Sequence, residues 1–370
     1  MTAKTQYDCL IVGGGIIGML TARELHLSGM SVALLERAET GSESTWAGGG
    51  IISPLYPWRY SDAVNRLAQW SQAGYSELAQ ALKEESGIDP EYVNNGLLIL
   101  DMDEAAQAIE WAEQYSVDLQ KVSQAEITEI EPALGEVPAE AFWLADVAQV
   151  RNPRLAASVK HSLKNLGVAV FEQTEVTEFK QQQHQVTGVV TSRGEFTAPV
   201  VVVAGGAWTQ QILSPLGAEI NVRPVRGQMI LFEGDPGQVK RIVLSQNRYV
   251  IPRQDGRILV GSTLEEVGFD KSTTEAAKQE LIQEAVRIIP GLAECAVAHH
   301  WAGLRPGSEE GIPYICKHPE VSGLYINAGH YRNGVVLGPA SARLMADIVL
   351  ERDPIIKGDY NHVYYHHISR

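Results

Sequence analysis

The sequence predicts an α/β protein: a mainly parallel sheet, assembled from distant stretches of chain, with an antiparallel-sheet domain inserted into it. Three observations predict this. The chain opens on an apolar strand, a glycine turn, a helix and a second strand within about 30 residues. The run Val200-Val201-Val202-Val203-Ala204 is continuous and β-branched, the pattern of a parallel strand covered on both faces. Residues 221–263 instead alternate in short strand-like stretches, as in an antiparallel sheet.

The elements follow in order. Residues 7–12 read as a strand, and the glycine turn after them leads into a helix that Gly29 ends; 31–36 form the second strand. Ser44-Thr45-Trp46-Ala47-Gly48-Gly49-Gly50 reads as a loop of poor helix and strand propensity. Residues 61–86 are helical, 97–100 a strand, and 103–114 a charged helix. Asn152-Pro153 starts a helix, since proline suits a first turn. Residues 168–171 are a strand. Three strand-like runs fill 176–204, with turns at His184-Gln185 and Arg193-Gly194. A helix over 273–288 stops before Pro290-Gly291; a strand at 323–327 and a helix over 334–350 close the pattern. This places one discontinuous domain at 1–85, 142–220 and 304–370, and a second at 86–141 and 221–303.

The 370 residues suffice for a large core and two domains. Apolar residues make up 45% and charged residues 20%, an ordinary balance for a globular protein. The net charge of −15 argues against nucleic-acid and anionic-membrane partners. Cys9, Cys295 and Cys316 form neither a disulfide framework nor a zinc pattern, and fit a reducing cytoplasm. The apolar N-terminal stretch carries Asp8 before it and four glycines within it, so a glycine turn explains it better than a signal peptide. No uninterrupted apolar run is long enough to span a membrane. His299-His300 and His366-His367 are adjacent pairs; neighbours on a strand face opposite ways, so no metal site is expected. There is no Gly-x-Ser-x-Gly elbow and no Walker loop.

Gly13-Gly14-Gly15-Ile16-Ile17-Gly18 matches G-x-G-x-x-G between a strand and a helix. Gly13 permits the tight turn, Gly15 lets backbone amides approach a pyrophosphate, and Gly18 lets the helix pack close to the strand. The helix N-terminus adds partial positive charge. Glu36, at the end of the second strand, can accept ribose hydroxyls and would repel a 2′-phosphate. A dinucleotide is the expected ligand; the motif leaves NAD and FAD open. Val203-Ala204-Gly205-Gly206-Ala207-Trp208 supplies a second buried strand and close-approach turn, as in two-domain flavoprotein oxidases.

With further segments, these motifs resemble the D-amino acid oxidase superfamily of FAD-dependent oxidoreductases, and within it the glycine oxidases of thiamine biosynthesis. The other carriers are Glu36-Arg37, Thr45-Trp46-Ala47-Gly48-Gly49, Val222-Arg223-Pro224-Val225-Arg226-Gly227-Gln228, Tyr249-Val250-Ile251-Pro252-Arg253, Gly303-Leu304-Arg305-Pro306-Gly307 and Gly329-His330-Tyr331-Arg332-Asn333-Gly334. The resemblance covers essentially the whole chain. It implies a Rossmann-like, glutathione-reductase-like FAD domain with an inserted substrate domain. It also implies FAD contacts at Gly13, Gly15, Ile16, Ile17, Gly18, Glu36, Arg37, Thr45, Ala47, Gly48, Gly49, Val176, Gly206, Trp208, His330, Arg332, Asn333 and Gly334.

The resemblance further implies that Arg305 grips the substrate carboxylate with Tyr249, and that Arg332 approaches the substrate or the flavin edge. Some relatives attach flavin through a cysteine after the second domain; His299-His300-Trp301-Ala302-Gly303 has none, so FAD is expected noncovalent. The implied reaction is hydride transfer from the Cα of glycine, sarcosine or a small D-amino acid to flavin N5. Dioxygen then yields hydrogen peroxide, and the imine gives a 2-oxo acid and ammonia or enters thiazole synthesis. A D-amino acid dehydrogenase or a sarcosine oxidase-like enzyme with another acceptor is the alternative. The family favours homo-oligomers, dimers or tetramers.

Overall fold

The computed structural model describes residues 5–361 and 364–365. His366-His367 lie outside the described residues. Among those described, a six-stranded sheet runs Tyr314–Lys317, Leu324–Ala328, Val200–Val203, Cys9–Val12, Val32–Leu35, Ala169–Phe171. All its pairs are parallel except the edge strand Tyr314–Lys317. Alternate residues face opposite ways, and both faces are covered. Cys9, Ile11, Val32 and Leu34 pack against the helices Ile16–Leu27, Asp62–Ser86, Asn152–Leu166 and Gly334–Val349. Leu10, Val12, Ala33, Leu35, Val201 and Val203 pack instead beneath a three-stranded meander carrying Phe179, Val189 and Phe196. Burying each such side chain contributes about 1.5–3 kcal/mol, which is why these strands read as unbroken apolar runs.

The second sheet has eight strands, in the order Ala296–Gly307, Arg223–Glu233, Arg257–Gly261, Arg248–Pro252, Ile242–Ser245, Leu97–Ile99, Glu140–Leu144, Gln120–Ser123. It is antiparallel but for one parallel pair, Ile242–Ser245 with Leu97–Ile99, where the chain returns from a distant segment. One face buries Ile230, Val250 and Val260 near the helix Glu275–Ile288. The other buries Met229, Tyr249, Ile251 and Leu259, and this face lines the cavity described below.

Three departures from the sequence expectations bear on the site. Ser44–Ala47 is a single helical turn rather than a loop. Ala47 N donates to Glu43 O at 3.2 Å, and Thr45 Oγ1 accepts from Ile16 N at 2.9 Å, so tertiary anchoring overrides weak propensity. The strand Ala296–Gly307 was not among the expected elements. It pairs along its length with Arg223–Glu233 despite Gly303 and Pro306, and its edge position leaves Pro306 free of a lost ladder bond. Finally, the expected boundaries at 141/142 and 303/304 fall inside Glu140–Leu144 and Ala296–Gly307, both strands of the eight-stranded sheet. By sheet membership, Arg305 therefore belongs to the inserted domain.

Candidate functional site

The two sheets meet around a cavity of about 610 Å³. One end is the glycine turn. Gly13 has φ +113°, and a Cβ there would lie 2.4 Å from Ala204 O. That close approach binds the turn to the end of the neighbouring parallel strand. Glu36 Oε2 accepts from Gly14 N at 2.7 Å and Oε1 from Ala38 N at 2.8 Å, which fixes the carboxylate at the cavity edge. Arg37 Cζ lies over the Trp208 ring, 4.0 Å from its centroid, and Trp208 stacks on Phe269.

Two helices begin at the cavity wall. In neither Ile16–Leu27 nor Gly334–Val349 does the N-cap side chain make a capping bond, and neither has an acidic residue in its first turn. At the first helix, Thr45 Oγ1 accepts from Ile16 N at 2.9 Å, and both N-termini add partial positive charge to the cavity wall. Between them, His330 is fully buried with Nε2 2.9 Å from Ser341 Oγ. Burial lowers its pKa to about 3, so the ring is neutral. Asn327 lines the cavity, and its buried Oδ1 has no protein partner.

The middle of the cavity is walled by the segment from Ala47 to Ile51. Several carbonyls of this segment and of Thr45 before it are held by donors on the protein side. Thr45 O accepts from Asn152 Nδ2 at 2.7 Å, Ala47 O from Trp301 Nε1 at 3.2 Å, and Gly50 O from Val150 N at 2.8 Å. Asn152 is fully buried, and its amide would collide with a Cβ at Gly48 or Gly50.

The far end holds Arg305. Its Nη2 donates to Ser262 Oγ at 2.6 Å and its Nη1 to Thr263 O at 3.2 Å. Both acceptors are neutral, and the guanidinium faces the cavity beside Tyr249 and Arg332. Burial, opposed by Tyr249 and reinforced by Arg332, depresses its pKa below the usual arginine range. Gly227, across the sheet pair, makes the seat. A Cβ there would lie 2.1 Å from Nη1 and from Nη2. Met229 Sδ is 3.7 Å from the Tyr249 hydroxyl, which donates to it. A half-buried cation open to a cavity and lacking a protein anion could receive a small carboxylate.

The cavity thus brings together Gly13, Gly15, Ile16, Ile17, Glu36, Arg37, Thr45, Ala47, Gly48, Gly49, Val176, Gly206, Trp208, Tyr249, Arg305, His330, Arg332 and Gly334. Two expected residues do not line it. Gly18 turns its Cα toward Gly13 O, which a Cβ would approach to 2.0 Å; it closes the turn from behind. Asn333 is the N-cap residue of the last helix, buried behind the wall with Nδ2 unpartnered. Sequence reasoning missed Asn152, Gly227, Met229 and Ser262. Only the Asn152-Pro153 helix start and the Arg226-Gly227-Gln228 motif gave any signal.

The chemistry of this cavity fits FAD: helix N-termini and glycine amides would offer donors to a pyrophosphate, and the Glu36 carboxylate would accept from a ribose.

The model of the DAO family, described as FAD dependent oxidoreductase, matches residues 8–348. The chain is 50% identical to the glycine oxidase of Pseudomonas aeruginosa over 94% of this chain and 96% of that protein. It is 32% identical to the bifunctional protein ThiO/ThiG of Trichormus variabilis, over 94% of this chain and 54% of that longer protein. The crystal structure of glycine oxidase from Geobacillus kaustophilus superposes with a TM-score of 0.90 at 30% identity, covering 96% of this chain and 97% of that one.

Proposed function

Because this chain belongs to the DAO family of FAD-dependent oxidoreductases, we propose that it oxidises glycine and other small amines or amino acids, including sarcosine and small D-amino acids. The observation that carries the proposal is Arg305: a half-buried guanidinium whose hydrogen-bond partners in the protein are neutral, lining the cavity beside Tyr249. Its free N–H groups receive the substrate carboxylate in bidentate fashion. The Tyr249 hydroxyl leaves Met229 to add a further donor. Arg332 closes the positive end of the pocket. Held so, the substrate Cα lies toward the wall of Ala47, Gly48 and Gly49.

Bound FAD supplies the two-electron acceptor for the hydride leaving Cα and passes the electrons to dioxygen as hydrogen peroxide. The chain supplies proximity, orientation and charge. The neutral amine is the form that reacts, because its lone pair drives hydride loss, and with that form bound no protein base is required. The imine then hydrolyses to the 2-oxo acid and ammonia, or feeds the thiazole of thiamine. The proposal includes noncovalent FAD held by the expected residues, a homo-oligomer of two or four chains, and a cytoplasmic setting, in keeping with three unpaired cysteines.

Peroxide release with glycine, sarcosine, D-alanine and D-proline tests the proposal, alongside anaerobic bleaching of the flavin band near ~450 nm. Bleaching and dye reduction without peroxide would replace dioxygen by another acceptor. No bleaching with any of the four would overturn the substrate class.

A further inference from the structure

A second half-buried guanidinium has no part in the chemistry above. Arg253 follows the strand Arg248–Pro252 that carries Tyr249. Its Nη2 donates to Gly49 O at 2.8 Å, and its Nη1 to Val150 O at 3.0 Å and Gln149 Oε1 at 2.5 Å. Gln149 is itself fixed, donating to Pro252 O at 2.9 Å and Asn95 Oδ1 at 3.1 Å. All three acceptors of Arg253 are neutral. The nearest charged groups, Arg151, Glu91 and Asp255, are paired with one another. Burial, and then the Arg151 cation, push the Arg253 pKa down to about 10, so it remains charged at neutral pH.

Gly49 lines the main cavity and Arg253 does not; Arg253 borders a separate cavity of about 230 Å³ behind it. The Gly49 carbonyl therefore points away from the main cavity, toward the cation. It joins the carbonyls of Thr45, Ala47 and Gly50, which Asn152, Trp301 and Val150 also hold back. Those three donors are neutral. A neutral amide would serve Gly49 equally well as a clamp, without the cost of desolvating a charge.

We propose that Arg253 is a positioning residue that sets the electron affinity of the flavin: it turns the Gly49 carbonyl out of the cavity and holds a fixed positive charge one peptide behind the flavin-facing wall. Both effects favour a ring that has gained electrons, the first by removing a repulsive dipole and the second by attraction. This rests on the FAD reading of the cavity.

The test uses the FAD-loaded enzyme and sulfite, whose adduct with the ring is anionic and needs no turnover. Arg253→Met should weaken sulfite binding about tenfold. A tenfold change in a two-electron equilibrium is about 30 mV, to be checked by dye equilibration. Arg253→Lys, which keeps the charge, should stay close to the parent enzyme. Asn152→Ala, which frees the same wall without removing a charge, should lower FAD content and thermal midpoint, with sulfite affinity of the loaded fraction kept. Should Arg253→Met fold poorly, Arg253→Gln takes its place. Unchanged sulfite affinity in the neutral variants, or an equal loss in Asn152→Ala, would reduce Arg253 to a loop clamp and overturn the proposal. A parent protein without a flavin spectrum would instead overturn the FAD reading itself.

Discussion

Replacing Arg305 by Met removes the bidentate donor proposed to hold the substrate carboxylate at the far end of the cavity, beside Tyr249 and Arg332. The guanidinium spends one N–H on Ser262 Oγ and one on Thr263 O, which leaves others for the ligand. Two charge-assisted hydrogen bonds at roughly 1.5–3 kcal/mol each give a loss of about 3–6 kcal/mol. At about 1.4 kcal/mol per decade, kcat/KM for glycine should fall about 10²- to 10⁴-fold. The carboxylate does not change during the reaction, so most of the loss should appear in KM. Gly227→Ala then separates charge from placement. It keeps the cation, but its Cβ would stand 2.1 Å from both terminal nitrogens and 2.3 Å from Cζ. The fork must leave its seat, and the loss of one of the two bonds corresponds to about 10- to 100-fold. The assay is initial-rate peroxide release against glycine concentration, with acetate as a competitive inhibitor lacking the amine. The acetate Ki should rise in step with KM in both variants, while the flavin spectrum stays intact. A KM within about threefold of the parent in Arg305→Met, or an unchanged acetate Ki, would refute the carboxylate role. Normal kinetics in Gly227→Ala would show that charge alone suffices.

Gly18→Ala puts a methyl 2.0 Å from Gly13 O; it should cost roughly 1–3 kcal/mol in urea unfolding and yield protein without flavin, so a normal flavin-to-protein ratio would contradict it. Glu36→Gln keeps one acceptor but loses the charge that holds Gly14 N and Ala38 N at 2.7 and 2.8 Å; the FAD Kd of the apoprotein should rise about tenfold by fluorescence titration. His330 has a folded pKa lowered to about 3 by burial, against about 6.5 unfolded. Below about pH 6.5 the unfolded chain binds a proton that the folded chain refuses, so stability is full above that pH and falls with acid. His330→Asn should flatten the apoprotein stability profile between pH 7 and 5 by roughly 2 kcal/mol; an unaltered slope in urea unfolding would remove His330 as its source.

What the sequence disclosed was local. The glycine turn, the Val200–Val203 run, the helix end at Gly29 and the helix start at Asn152-Pro153 each follow from a few adjacent residues. What it concealed depends on partners far along the chain. Asn152 marks a helix start in sequence; its function comes from Thr45 O, 107 residues away. Nothing beside Gly227 states that the guanidinium of Arg305 will lie against it. Ala296–Gly307 is masked by Gly303 and Pro306, and exists as a strand because Arg223–Glu233 offers a full-length partner. The single helical turn at Ser44–Ala47 likewise depends on an anchor to Ile16 N. The resemblance to flavoprotein oxidases located the segments, but it could not distinguish a residue that faces the cavity, such as Gly15, from one that supports it from behind, such as Gly18 or Asn333.

The two halves of the site are built by different means, and this bears on how the protein can vary. The dinucleotide half is backbone: amides, helix ends and glycines whose replacement meets main-chain atoms, as at Gly13 and Gly18. The substrate half is side chain: Arg305, Tyr249 and Met229 standing on one face of the eight-stranded sheet, with Ser262 and Gly227 shaping the seat. Backbone contacts tolerate few substitutions, because moving one strand end moves the turn that leans on it. Side chains on a sheet face can be exchanged singly while the ladder beneath them stays in register. Substrate preference should therefore follow changes at Met229 and Ser262, with FAD affinity held. The wall between the halves is the exception: Gly49 faces the cavity, yet its carbonyl answers to Arg253 on the sheet side. A change made there for the sake of substrate would also be felt by the flavin.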